Sequence, residues 1–121
     1  MPHVAGHLDP KVQQCIDNCT KCHDVCLQTI SYCLSKGGKH AELSHIRLLT
    51  NCAEICQTSA NFMLTGSDFH QDICRACAEL CERCAEDCEK FAQDAQMKNC
   101  ADICRRCADS CRKMSGERKA A

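Results

Sequence analysis

The chain has 121 residues, with sixteen cysteines, fifteen basic and sixteen acidic side chains, and a formal net charge of −1. That length fits one domain. Interleaved, balanced charge and a set of only three Phe and one Tyr exclude a dedicated nucleic-acid surface or a base-stacking platform.

The opening stretch, MPHVAGHLDPKVQQC, has no basic segment followed by an apolar run, and nowhere is there an apolar stretch long enough to cross a membrane. The expectation is a cytoplasmic chain without membrane attachment, whose thiols stay reduced. Leu, Ile, Val and Phe are sparse, so cysteine, a small hydrophobe when reduced, must fill much of the core.

Asp9-Pro10 reads as an N-cap followed by Pro in the first turn, opening a helix that runs to Lys36 and stops at Gly37-Gly38. A second helix is expected from Ala41 to Leu64, ending at Thr65-Gly66. Ser67 is the expected cap of a third, Asp68 to Gln93, and Asp94 of a fourth, Ala95 to Met114. Short loops make this an all-α, antiparallel up-down-up-down four-helix bundle over 10–114, with flexible tails at 1–9 and 115–121.

The cysteines follow the helical period. Cys15, Cys19, Cys22, Cys26 and Cys33 fall within about 60° of one another on a helical wheel. Cys74, Cys77, Cys81, Cys84 and Cys88 on the third helix, and Cys100, Cys104, Cys107 and Cys111 on the fourth, alternate three and four apart, as inward positions do. The second helix carries Cys52 and Cys56, its stripe continuing through His45, Leu49, Ser59 and Met63. DICRACAELC (72–81) recurs as DICRRCADSC (102–111) and NCAEIC (51–56) as NCADIC (99–104). A helix with such a seam needs neighbours to bury it.

Antiparallel stacking predicts successive layers: Val12, Met63, His70 and Met114; Cys15, Ser59, Cys74 and Cys111; Cys19, Cys56, Cys77 and Cys107; Cys22, Cys52, Cys81 and Cys104; Cys26, Leu49, Cys84 and Cys100; then His45, Cys88 and Met97, with Cys33 last.

Disulfides within one helix are disfavoured, because Cβ atoms three or four residues apart sit about 5–6 Å from each other, beyond the roughly 3.5–4.5 Å of a bridge. Zinc or iron–sulfur centres call for four convergent ligands, commonly delivered by turns that CRAC, CERC and CRRC lack inside helices. A single tetrathiolate layer could still hold one such ion, and that alternative stays open. Cu(I) prefers soft thiolates and accepts two or three of them. If each monovalent ion replaces one thiol proton, the buried charge is unchanged, giving about one ion per cysteine. Redox catalysis by CxxC would need an exposed pair beside a βαβ unit, so no enzymatic activity is expected.

CIDNCTKCHDVC, NCAEIC, CRACAELCERCAEDC and NCADICRRCADSC resemble the cysteine-rich copper storage proteins of bacteria over about residues 10 to 114. The resemblance implies multiple Cu(I) ions per chain, bulk storage or detoxification in the cytosol, and a homotetramer. Copper sensing, or delivery to a copper chaperone, is the other role weighed. Ser59 and Met63, where cysteines would be expected, imply a lower capacity near one end.

Met63, His70 and Met114 converge on one bundle end as a candidate metal port, with His45 and Met97 guarding the other. His23 and His40 read as surface residues, and His3 and His7 as part of a tail. Ile16, Leu27, Ile30 and Leu34 form a second apolar strip on the first helix, for packing or for a subunit interface.

Overall fold

The computed structural model describes residues 8–116; His3 and His7 lie outside them, as do most of both predicted tails. Among the described residues there are four α-helices: α1 (Pro10–Lys36), α2 (Leu43–Leu64), α3 (His70–Glu89) and α4 (Ala95–Ser115). A short 3-10 turn, Gly38–Ala41, joins α1 to α2. Each helix packs on the next and α4 closes on α1, as an up-down-up-down bundle requires.

The helix ends follow local chemistry. Asp9 accepts the Lys11 backbone N–H at 2.8 Å, and Pro10 follows it at the first turn. At the other end of α1, Gly37 adopts φ 72°, and its N–H bonds to the Cys33 carbonyl. Asp94 caps α4 as expected, accepting from the Gln96 and Met97 backbone at 3.0 and 3.3 Å.

Four boundaries differ from expectation. α2 starts at Leu43 rather than Ala41, since residues 38–41 tighten into the 3-10 turn. Ser67 does accept a backbone bond, from Phe69 at 3.0 Å, but regular helix begins only at His70. α3 ends at Glu89, because the chain turns over Lys90–Asp94, where Phe91 and Asp94 make backbone turn bonds to Cys88 and Phe91. At the far end α4 takes in Ser115, which is buried.

The core lies on the bundle axis and is made largely of sulfur: all sixteen cysteines are buried, none above 1% exposed. A second stripe of small residues flanks it. Ala53 and Ala60, Ala78 and Ala85, and Ala101 and Ala108 each follow an axial Cys or Ser by one residue and are buried. This heptad spacing lets α2, α3 and α4 approach closely without competing for the axis. Outside, Arg105 grips both Glu89 oxygens at 3.1 and 2.7 Å, and Arg112 pairs with Glu82. These antiparallel links help fix the α3–α4 register, although partly exposed pairs add little stability.

Of the apolar strip on α1, Ile16 is buried and Ile30 partly so, while Leu27 and Leu34 remain 48% and 57% exposed. Among the described residues no helix is long and apolar enough to cross a membrane.

Candidate metal centre

In the layers of Cys15, Cys19 and Cys22 the contacts match the register expected from the sequence, whereas Cys33, expected beyond His45 and Met97, lies against both. Cys15 and Cys111 approach to 3.8 Å, Ser59 and Cys74 to 3.3 Å, Cys19 and Cys107 to 3.6 Å, and Cys56 and Cys77 to 3.7 Å. In the next layer Cys22 lies 3.9 Å from Cys52, 4.0 Å from Cys81 and 3.7 Å from Cys104.

The layers are also joined along the axis. An unbroken path of sulfur contacts, each between 3.5 and 3.9 Å, runs Cys15–Cys111–Cys19–Cys107–Cys56–Cys77–Cys81–Cys52–Cys22–Cys104–Cys26. These separations are thiol contacts, far beyond the ~2.05 Å of a disulfide, and all sixteen cysteines are free.

Four overlapping quartets have all their sulfurs within 4.8 Å of one another: Cys22, Cys26, Cys52, Cys104; Cys22, Cys52, Cys56, Cys81; Cys56, Cys77, Cys81, Cys107; and Cys19, Cys77, Cys107, Cys111. Successive quartets share two thiols. Independent tetrahedral ions could not fill neighbouring quartets without competing for the shared ligands. Ions satisfied by two or three sulfurs, with thiolates bridging between them, could use the whole column.

Proximity divides the thiols into those that ionise readily and those that resist. Hydrogen bonds from Cys107 and Cys111 pull Cys19 down to about 6. Cys22, Cys52 and Cys100 are also held low, in each case chiefly by the Cys104 thiol. Cys104 itself is pushed well above the usual thiol range, chiefly through its bond to Cys100. The Cys100 hydrogen bond likewise lifts Cys84, to about 11. A thiolate that accepts S–H bonds is favoured, and the thiol that donates must keep its proton. An unloaded core therefore cannot ionise throughout.

One end departs from pure sulfur. Cys33 Sγ lies 3.4 Å from His45 Nε2 and 3.6 Å from Met97 Sδ, all three buried. His45 Nδ1 meets Asp87 Oδ2 at 2.5 Å, and Asp87 also accepts from Lys90. Burial works against the Asp87 carboxylate, but the His45 and Lys90 hydrogen bonds outweigh it and hold the group below the ordinary range. Burial pushes Cys33 up to about 11. Asp87, which the sequence reading missed, completes a carboxylate–imidazole arrangement that fixes which ring nitrogen faces Cys33.

His40 is not a simple surface residue. It is half-buried, bonded to Asp94 at 3.0 Å and stacked on Phe91 at 4.2 Å, with Tyr32 donating to the same Asp94 at 2.7 Å. His23 pairs with neighbouring Asp24 near the surface. At the opposite end Met63 is buried, Met114 packs half-exposed against the core, and His70 Nδ1 contacts the Ser67 carbonyl at 2.9 Å.

Thr29 was also missed. It is fully buried, occupying the axial position between Cys26 and Cys33, and its hydroxyl accepts from Gln96 at 3.1 Å. The signal was present: Cys15, Cys19, Cys22, Cys26, Thr29 and Cys33 alternate four and three without a break.

These features define a class: a closed antiparallel bundle whose interior is a continuous ladder of free thiols, suited to soft metal ions. Residues 9–116 match the family model described as copper storage protein, and the chain belongs to that family. It is similar to the Nmul_A1745 protein of Nitrosospira multiformis at 50% identity, covering 90% of this chain and 98% of that one, with a TM-score of 0.84. Copper storage protein 3 of Bacillus subtilis in its apo form shares 35% identity over 85% of this chain and 97% of its own, TM-score 0.78. The copper storage protein Ccsp of Streptomyces lividans, loaded with 10 copper equivalents, shares 28% over 98% and 94%, TM-score 0.82. A curated relative, the uncharacterized cysteine-rich protein YhjQ of Bacillus subtilis, is 36% identical over 68 residues, 56% of this chain; the match spans about 63% of that protein's length.

Proposed function

We propose that this chain is a high-capacity Cu(I) store whose sixteen axial thiols are the ligands, holding about one ion per cysteine. The observation that carries this reading is the chain of quartets sharing thiols in pairs. Soft, low-coordinate Cu(I) suits bridging thiolates. With one ion replacing one thiol proton at each sulfur, the filled interior carries no more charge than the empty one, which avoids the cost of burying many thiolates.

Storage rather than catalysis follows from the same layout. The sulfurs are enclosed, none more than 1% exposed, so a substrate has no direct access to them. We place the chain in the cytoplasm, where thiols stay reduced, and assign it a homotetrameric assembly on family grounds. Delivery of stored ions to a copper chaperone is compatible with this role.

Ions are proposed to pass the bundle ends through weaker soft donors. Met114, with Met63 and His70, serves one end, and its partial exposure supports that role. His45 and Met97 serve the other, where the imidazole facing Cys33 supports a mixed nitrogen–sulfur site.

Anaerobic titration of the reduced protein with Cu(I) against a chromophoric competitor tests the storage reading. The expected endpoint is near sixteen ions, one for each cysteine present. Saturation at one or two ions would end it.

A further inference from the structure

Between α1 and α4, on the flank where the Cys15–Cys111 contact lies, runs a groove of about 610 Å3. Lys11, Arg106 and Lys113 line it, with one carboxylate, Asp109. All three cations are exposed, and none has an ion-pair partner among the described residues. The neighbouring α3–α4 flank is different, its Arg105 and Arg112 both held by glutamates. The groove is also lined by Met114, which packs inward against the sulfur core. Met114 lies three residues beyond Cys111, on the same helical face. Positive charge outside and a soft sulfur donor leading inward thus share one wall.

We infer that this groove receives Cu(I) as the anionic complex of a low-molecular-weight thiol carrying carboxylates, and that it passes the ion by Met114 to Cys15 and Cys111. The inference rests on the storage reading above. Cu(I) travels with soft ligands, and a complex of two carboxylate-bearing thiolates is strongly negative, matching three unpaired cations against a single Asp. The volume is in the range of small-molecule sites, roughly 300–1,000 Å3.

The transfer is a balanced ligand exchange. Two carrier S–Cu bonds break and two form, to Cys15 and Cys111. The protons of those two cysteines leave on the departing carrier thiols. Copper stays monovalent and the net charge is conserved; ions that follow share the new thiolates and restore neutrality.

The test uses the full reduced chain and the variant Lys11→Gln/Arg106→Gln/Lys113→Gln. A control, Lys21→Gln/Lys39→Gln/Lys98→Gln, removes the same charge from exposed sites elsewhere. Uptake is followed by stopped-flow from Cu(I)–glutathione and from Cu(I)–2-mercaptoethanol, whose complex lacks carboxylates and carries only the single negative charge of two thiolates on one Cu(I). The groove variant should load about tenfold more slowly from glutathione at low salt, the scale of electrostatic steering, and at the parental rate from mercaptoethanol. The control should match the parent with both carriers. Equal rates for groove variant and parent from glutathione, or equal slowing with both carriers, would overturn the groove while leaving storage intact, provided the endpoint stays near one ion per cysteine. An endpoint of one or two ions in the parent would instead remove the storage reading. A copper-independent arm keeps the two apart: S-methylglutathione should perturb the Met114 methyl resonance in the parent and not in the groove variant. Absence of that perturbation in the parent, or its persistence in the variant, also overturns the proposal.

Discussion

His45 and Asp87 are joined across α2 and α3 by a 2.5 Å contact between Nδ1 and Oδ2, which leaves Nε2 facing Cys33 Sγ at 3.4 Å. The carboxylate holds the ring with Nε2 toward Cys33, the orientation that the proposed mixed nitrogen–sulfur site requires. Asp87→Asn is therefore expected to weaken the Cu(I) site at Cys33 about tenfold, the low end for losing such an orienting partner, and His45→Ala should weaken it more. Competition titration resolves this weak class from the thiolate column. If both variants bind with parental affinity, the imidazole is only a plug.

The gap at Ser59 makes capacity adjustable. Its hydroxyl sits 3.3 Å from Cys74 Sγ, on the axis and fully buried. Ser59→Cys puts a sulfur where the second helix lacks one, with little change in volume, and should raise the copper endpoint by about one ion on the same charge-balance argument. Leu49→Cys, at a fully buried position in the layer expected to hold Cys26, Cys84 and Cys100, should do the same, at some cost to apo stability because a larger apolar side chain is lost. Elemental analysis after anaerobic loading and gel filtration decides the matter; an unchanged endpoint in both variants would show that capacity does not follow sulfur count.

Much of this architecture was legible because one period governs it. Cysteines three and four apart fix which face of each helix is inward, and Asp9-Pro10, Gly37 and Asp94 fix where three helix ends fall. Short loops then leave only one antiparallel order, so the sequence alone places Cys22, Cys52, Cys81 and Cys104 together. What escaped was set by contacts between residues distant in sequence. Asp87 looks like one more solvent-facing acid beside Cys88 until α2 is seen to bring His45 against it. His40, on the linker after α1, is drawn in by Phe91 and Asp94 of the α3–α4 loop, and no local pattern announces that pairing. The start of α3 was misjudged because Ser67 caps a turn that precedes the regular helix. Thr29 was a different failure, since a search for cysteines alone passes over a threonine in perfect register.

Metal removal should lower stability more than in most binding proteins, because the core is sulfur where aliphatic side chains would bury more area. Each occupied site adds about 2.7 kcal/mol when free ion stands a hundredfold above its dissociation constant. Thermal unfolding followed by far-ultraviolet circular dichroism should give a midpoint that climbs with copper content and returns to the apo value under excess chelator. Coincident curves for apo and loaded protein would mean that the ions bind the unfolded chain as tightly as the folded one and that the folded core adds nothing to their affinity.

Asp94 sets an acid limit on the apo fold. Its carboxylate caps α4 and accepts from Tyr32 and His40, tying that helix to α1 and the following linker. Burial opposes ionisation, but the bonds from Tyr32, His40 and the Met97 and Gln96 backbone outweigh it, so the carboxyl is held below the ordinary range. The folded state therefore binds this proton less readily than the unfolded chain. The stabilisation is complete above the unfolded value of about 3.9 and disappears as pH falls through the lower folded value. Asp94→Ala should cost about 1 kcal/mol at neutral pH, a typical loss for an N-cap, and the gap from the parent should shrink as the solution is taken below about pH 4. Urea midpoints of the reduced, metal-free proteins at pH 7, 4 and 3 measure that gap directly. A difference that stays constant over this range would mean that the carboxylate's charge contributes nothing and that the cap acts only as a neutral acceptor.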